Sequence, residues 1–192
     1  MSPRRVAAVV AFCVIGAAVF GVTIVAGAVG LVTGDLAPAQ SGGQAAPSPG
    51  PPIPGPMLTL YAQAAATCPG LPPSVLAAIG AVESSHGTSD LPGVHSGANP
   101  AGAEGSMQFL PATFAAYALP VPPGGADPPS PYDAVDAVYA AARLLCTNGA
   151  AGGADLAGAV YAYNHSGDYV TEVMVLAAQY AGAFPTGLGT GP

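Results

Sequence analysis

The sequence predicts an all-α ectodomain carried on one N-terminal transmembrane helix. Three observations lead there. Residues 6–32 carry no charged side chain, and a helix of about 20 apolar residues is enough to cross a bilayer. The rest of the chain lacks the period-two alternation of half-buried strands, yet repeatedly places apolar residues at helical spacing. Alanine supplies much of the 51% apolar content and glycine is abundant beside it, so the core should be helix-friendly and built from small residues. A chain of 192 residues then holds the membrane segment plus one domain of roughly 100–150 residues.

The elements follow in order. Arg4 and Arg5 precede the apolar run and Asp35 follows it. The positive-inside rule therefore puts residues 1–5 in the cytoplasm and everything past residue 32 outside. A secreted protein, cleaved at Ala26-Gly27-Ala28, is the competing reading, but the apolar run is long for a signal peptide. Cys13 follows the bulky Phe12, which disfavours lipid attachment and leaves a membrane-buried small hydrophobe. Residues 33–56 are rich in Pro, Gly, Ala and Ser without apolar period. They read as a linker, about 3 Å long per residue if extended.

The folded domain is expected over residues 57–184. A first helix runs from Leu58 to Thr67 and breaks at Cys68-Pro69-Gly70. Pro72-Pro73-Ser74 opens a second, with proline tolerated in the first turn. There Leu76, Ile79, Gly80 and Glu83 fall on one face. Residues 86–99 read as loop, 111–117 as helix and 121–131 as a Pro/Gly loop. A clear helix covers 132–145, with Val135, Val138, Tyr139, Ala142 and Leu145 on its apolar side. Two more cover 154–163 and 169–180, before a flexible tail at 185–192.

Charge excludes one class of function. The net charge is −7 and lysine is absent. Beyond the membrane Arg143 is the sole Lys or Arg, so a nucleic-acid partner is ruled out. Recognition of a substrate must come from local hydrogen bonds and shape. Cys68 and Cys146 read as a disulfide in an exported domain, adding roughly 3–4.5 kcal/mol on the loop-entropy account; two buried thiols are the alternative.

Glu83 is the most informative residue. A carboxyl on an apolar helix face has its charged form disfavoured by desolvation, so its pKa should rise. A general acid needs that environment to keep its proton near neutral pH. The plainer alternative is a helix-end glutamate turned to solvent.

Four strings occur in order: Glu83-Ser84-x-x-Gly87, Gly102-Ala103-x-Gly105-x-Met107-Gln108, Pro111-x-Thr113 and Ala162-Tyr163-Asn164. Together they resemble the soluble-type (SLT) lytic transglycosylases, whose lysozyme-like catalytic domain cuts peptidoglycan. The exported, membrane-anchored actinobacterial type looks most similar, over about residues 71–173. The resemblance implies Glu83 as the catalytic acid, with Ser84, Met107, Gln108, Tyr163 and Asn164 binding substrate. The substrate would be peptidoglycan glycan strands, and neither metal nor cofactor is needed. The residue types agree in part. Gln108 both donates and accepts, which suits a sugar N-acetyl or hydroxyl group, although a loop-stabilising amide would look the same. Met107 reads equally as groove wall or core. Tyr163 offers a ring face and a hydroxyl; Asn164 reads more simply as a structural residue. The glycines at 102 and 105 permit close backbone approach.

The chain also departs from the family pattern. His165 replaces a small residue after Asn164, and no serine is clearly placed ahead of the Gly-Ala string, where Ser96 and Asn99 stand. His86, Asp90 and His95 match no defined zinc spacing. In the chemistry that the resemblance implies, one carboxyl protonates the leaving oxygen and then deprotonates the muramic 6-hydroxyl, leaving 1,6-anhydro ends. Asp90, Asp133 and Asp168 are candidate partners for a lysozyme-like hydrolase instead. A non-catalytic cell-wall-binding module would keep Tyr163 and Gln108 without needing Glu83. A place in a secretion or conjugation apparatus is a further expectation.

Overall fold

The computed structural model describes residues 49–184. The segment at 6–32 expected to span a membrane, the residues before it, the expected linker up to residue 48 and the expected tail at 185–192 lie outside them. Among the described residues the fold is helical, as expected; its one β-type pairing is an isolated bridge between Glu104 and Phe109. No described helix is long and apolar enough to cross a membrane.

Proline opens the first three helices. In α1 (Gly55–Ala65) Pro56 lies in the first turn, and α2 (Pro73–Ser84) and α3 (Pro111–Tyr117) begin on proline. The first turn of a helix has no intrahelical acceptor for its N–H groups, so the missing proline N–H costs nothing there. The next three are opened by side-chain caps. Asp133 accepts from the Val135 and Asp136 N–H groups at 2.9 and 3.1 Å ahead of α4 (Ala134–Leu145). Asp155 accepts from Gly158 N–H at 2.7 Å ahead of α5 (Leu156–Tyr163). Ser166 Oγ accepts from Tyr169 N–H at 3.3 Å ahead of α6 (Gly167–Tyr180). These caps explain the shifted boundaries: α4 and α5 start two residues later than the periodicity suggests, and α6 starts two earlier.

Helix α2 is the centre of the fold. It packs most extensively against α6 and next against α1, while α4 braces α1 and α5. Eight consecutive residues of α2, from Ser74 to Ala81, are buried. The inner face of α4 is small: Ala137, Ala140, Ala141 and Ala142 have no exposed surface. Small side chains let the helix axes approach closely, and larger groups such as Tyr61, Leu76, Ile79, Met107 and Leu145 fill the remaining space. Cys68 and Cys146 form the expected disulfide, with Cα atoms 5.7 Å apart, tying the end of α1 to the end of α4.

The linker expected to reach residue 56 is shorter than its composition implies. Helix α1 already begins at Gly55, and Ile53 packs on the core. Gly50 N–H donates to Gln179 Oε1 at 3.1 Å, and Tyr180 Oη donates to the Pro51 carbonyl at 2.7 Å. Residues 50–54 are thus a strap laid across the end of α6. Proline and glycine hid it, because a strap docked through backbone carbonyls has no apolar period to read.

Candidate active site

Glu83 sits in the last turn of α2. The helix stops just after it because Ser85 and His86 adopt left-handed backbone angles, with φ of 51° and 62°. Their N–H groups close the helix end on the carbonyls of Ala81 at 3.0 Å and Gly80 at 2.7 Å. A non-glycine residue in this region costs about 1–2 kcal/mol, so the turn has to be held from outside. Ser84 holds one side of it: its Oγ donates to the Ser106 carbonyl at 2.5 Å and accepts from Gly87 N–H at 2.7 Å.

Part of the Glu83 side chain reaches the surface, yet protein atoms crowd its carboxyl group. Tyr169 Oη, from the first turn of α6, donates to Glu83 Oε1 at 2.6 Å. Burial pushes the Glu83 pKa up to about 7, from an ordinary value of 4.5. The Tyr169 hydrogen bond pulls the other way, and the negative charge of Glu172 adds to the rise. A carboxyl of this kind holds a proton near neutral pH and can also lose it, which a group serving first as acid and then as base requires.

The loop of the Gly-Ala string lies against this turn. Glu104 and Phe109 exchange two backbone hydrogen bonds of 2.9 Å, folding residues 104–109 back on themselves. Gly105 has φ +77°, and a Cβ there would collide with the Pro131 carbonyl, so only glycine fits. Gln108, at φ 47°, spends its amide inside the loop: Nε2 donates to the Gly105 carbonyl at 2.7 Å and Oε1 accepts from Asn99 Nδ2 at 2.9 Å. Asn99 Oδ1 in turn accepts from the N–H groups of Ala101 and Ala103. Asn99 is therefore the loop's organising side chain, while Ser96 is exposed.

Tyr163 Oη donates to the Met107 carbonyl at 2.6 Å, and its ring meets Phe109 edge-on with centroids 5.5 Å apart. Three of the four strings are thereby brought together, through Ser84 to Ser106 and through Tyr163 to Met107. Two roles need correction. The Met107 side chain has no exposed surface, and its sulfur lies over Gly80 of α2; it is core and not groove wall. Ser84, 2% exposed, has its hydroxyl committed to the turn and the loop, so it shapes the site from behind. Asn164 is buried at the end of α5, where its backbone turns the chain toward α6.

Of the other acids, Asp133 caps α4, and Asp90 and Asp168 are exposed. His86 is buried against Tyr61 and Tyr180, whereas Asp90 and His95 lie in the exposed loop. Among the described residues no group of three or more His, Cys, Asp or Glu side chains could hold a metal ion. His165 is exposed and meets the Tyr161 ring at 5.3 Å. Tyr169 escaped the sequence reading, which saw in it only the start of a helix. Its signal was a tyrosine on the inner face of a helix, where a buried hydroxyl requires a partner.

A helical domain built around one crowded glutamate, faced by a tyrosine and by a glycine-dependent loop, defines a class of protein. The transglycosylase SLT domain matches residues 60–176, more than half of the chain, and the chain belongs to that family. No curated protein and no solved structure matches it significantly.

Proposed function

We propose that the protein is a peptidoglycan lytic transglycosylase that cleaves the β-1,4 bond between N-acetylmuramic acid and N-acetylglucosamine. The observation that carries this reading is the Glu83 carboxyl, crowded by protein atoms, hydrogen-bonded by Tyr169 and poised near neutral pH. Glu83 protonates the leaving glycosidic oxygen. The N-acetyl oxygen of the muramic residue supports the developing positive charge at C1. Glu83, now a carboxylate, takes the proton of the muramic 6-hydroxyl as that oxygen bonds to C1. The proton lost in the first step is regained in the second, no water enters, and the product ends in 1,6-anhydro-muramic acid. Gln108 and Tyr163 bind the strand, the Gln108 amide through the second N–H of Nε2, beyond its bonds to Gly105 and Asn99. Ser84, Met107 and Asn164 hold these groups in place.

A lysozyme-like hydrolase is the second reading, favoured by the charge of Glu172 acting on Glu83. A nearby second carboxylate is what hydrolysis by inversion or retention needs. We place the domain outside the cytoplasm on an anchor at residues 6–32, with residues 33–48 as its linker. The disulfide supports an oxidising compartment. Assembly with a secretion or conjugation apparatus is tested by pull-down under gentle extraction, where loss of all partners argues against it.

Mass spectrometry of fragments released from purified peptidoglycan, by the full-length chain beside Glu83→Gln, tests the reaction. Anhydro ends that vanish in the variant support the transglycosylase. Reducing ends support the hydrolase. Binding without any product would mean a cell-wall-binding module.

A further inference from the structure

Glu83 is three residues from a second polar cluster that the proposed chemistry does not use. His86 is 4% exposed. Its Nδ1 accepts from Tyr61 Oη at 3.1 Å, and its Nε2 faces the Pro51 carbonyl at 3.4 Å and Tyr180 Oη at 3.5 Å. Tyr180 Oη itself donates to the Pro51 carbonyl at 2.7 Å. One neutral tautomer, with the proton on Nε2, satisfies this arrangement. Burial lowers the His86 pKa and so favours that neutral ring, against a smaller opposing effect of the Pro51 carbonyl.

Two glycines are cut to fit the cluster. A Cβ on Gly80 would strike the Tyr61 hydroxyl, so glycine sits in mid-helix where it is otherwise a poor choice. A Cβ on Gly50 would strike Tyr180 Oη and come within 2.7 Å of Leu176 Cδ2, so a side chain there pushes against the tyrosine that fastens the strap. Gly80 also offers its carbonyl to His86 N–H at 2.7 Å. The strap, the C-terminal end of α6, Tyr61 of α1 and the turn that ends α2 thus meet around one imidazole.

We infer that His86 is a positioning residue, and that docking of strap residues 50–54 through it sets the last turn of α2 and with it the proton-transfer geometry of Glu83. The inference rests on the reading of Glu83 as the acid. The chain that enters the domain is then part of its catalytic support and more than a spacer. Undocking the strap releases the left-handed turn at Ser85 and His86, and hydrates Glu83. The groups facing Glu83 are Tyr169 and Glu172 of α6, and those facing His86 are Tyr61 of α1 and Tyr180 of α6. A change at residue 50 meets Tyr180 directly and on this inference reaches Glu83 through the strap and His86.

The test uses two variants of the full-length chain, Gly50→Val in the strap and His86→Phe in the turn. Both should lower kcat roughly ten- to a hundredfold with KM nearly unchanged, as a misplaced catalytic group does. Both should also move the alkaline limb of the pH–rate profile to lower pH, because a hydrated carboxyl gives up its proton more readily. His86→Gln, whose amide can still donate to Pro51, should recover part of the rate. In parallel, carboxyl ¹³C NMR titration of Glu83 should give a pKa below that of the wild type in Gly50→Val. This titration needs no turnover, so it decides the matter even if the wild type proves inactive and the proposed reaction fails. Variants that stay folded with an unshifted Glu83 titration would overturn the inference, and so would variants that lose thermal stability alone.

Discussion

Glu83 and Asp136 are both carboxylates enclosed within the protein, and their surroundings differ in kind. Asp136 lies in the first turn of α4 and has no exposed surface. Its Oδ2 accepts from Ala126 N–H at 3.1 Å and Ser130 N–H at 2.9 Å, which fastens the 121–131 loop. Two backbone donors and a helix N-terminus both stabilise a carboxylate. Glu83 lies in the last turn of its helix, where the helix dipole opposes negative charge. It receives one tyrosine hydroxyl. The same functional group is thus a structural tie at one end of a helix and an unstable anion at the end of another. The donors around a buried acid decide which, and burial alone does not.

The largest effect should come from Glu83→Gln. Product release should fall by roughly 10²–10⁴-fold, the usual contribution of a general acid–base group. The same change should stabilise the fold. Below about 4.5 the carboxyl is protonated in folded and unfolded chains alike; between there and about 7 only the folded chain keeps the proton. Unfolding then releases a proton, so stability falls as pH rises through that window and stays low above it. Glutamine escapes this loss. At about pH 8 the variant should exceed the wild type by on the order of 3 kcal/mol in thermal or urea unfolding, with no difference near pH 4. Equal stability at both pH values would remove the case for a strained acid.

Asp136→Ala should do the reverse. It leaves the Ala126 and Ser130 N–H groups without their acceptor, at a cost of about 2–4 kcal/mol. Activity per folded molecule should survive at temperatures where the variant is folded. A variant that is stable but inactive would mean that Asp136 belongs to the chemistry, and the contrast with Glu83 would collapse. Next in size is Tyr169→Phe. The hydroxyl stabilises the charged form of Glu83, so its loss should raise the Glu83 pKa above about 7. The alkaline limb of the pH–rate profile should move up by about one unit, which corresponds to about 1.4 kcal/mol. A downward shift would show that Tyr169 instead supports the protonated acid.

What could be read from the sequence follows from how local each cause is. Proline at helix starts, apolar spacing along α2 and α4, and Glu83 on an apolar face are all short-range patterns. The ordered strings named the loop that meets Glu83. The partner of Glu83 was not legible, because Tyr169 lies 86 residues away and nothing local distinguishes its hydroxyl. Met107 and Gln108 showed the same limit from the other side. A methionine's type does not say which way it points, and the Gln108 amide looked open until Asn99 folded onto it. The strap was missed because its fastening is a carbonyl, which every residue has.

Asp155 extends the comparison to a carboxylate in water. It is exposed and caps α5 through Gly158 N–H at 2.7 Å. Like Asp136 it accepts from backbone at a helix N-terminus, but solvent is ready to replace it there. Asp155→Ala should therefore cost only about 1 kcal/mol, the usual value of an N-cap. Asp155→Asn and Asp155→Ser should restore most of it, since either side chain still accepts a hydrogen bond. At position 136 the corresponding Asn substitution should not recover full stability, because its NH₂ would fill the enclosed space where Oδ1 now has no hydrogen-bond partner. Unfolding curves of the four variants separate the two effects. If Asn were tolerated equally at both sites, the donors alone would matter, and enclosure would contribute nothing beyond them.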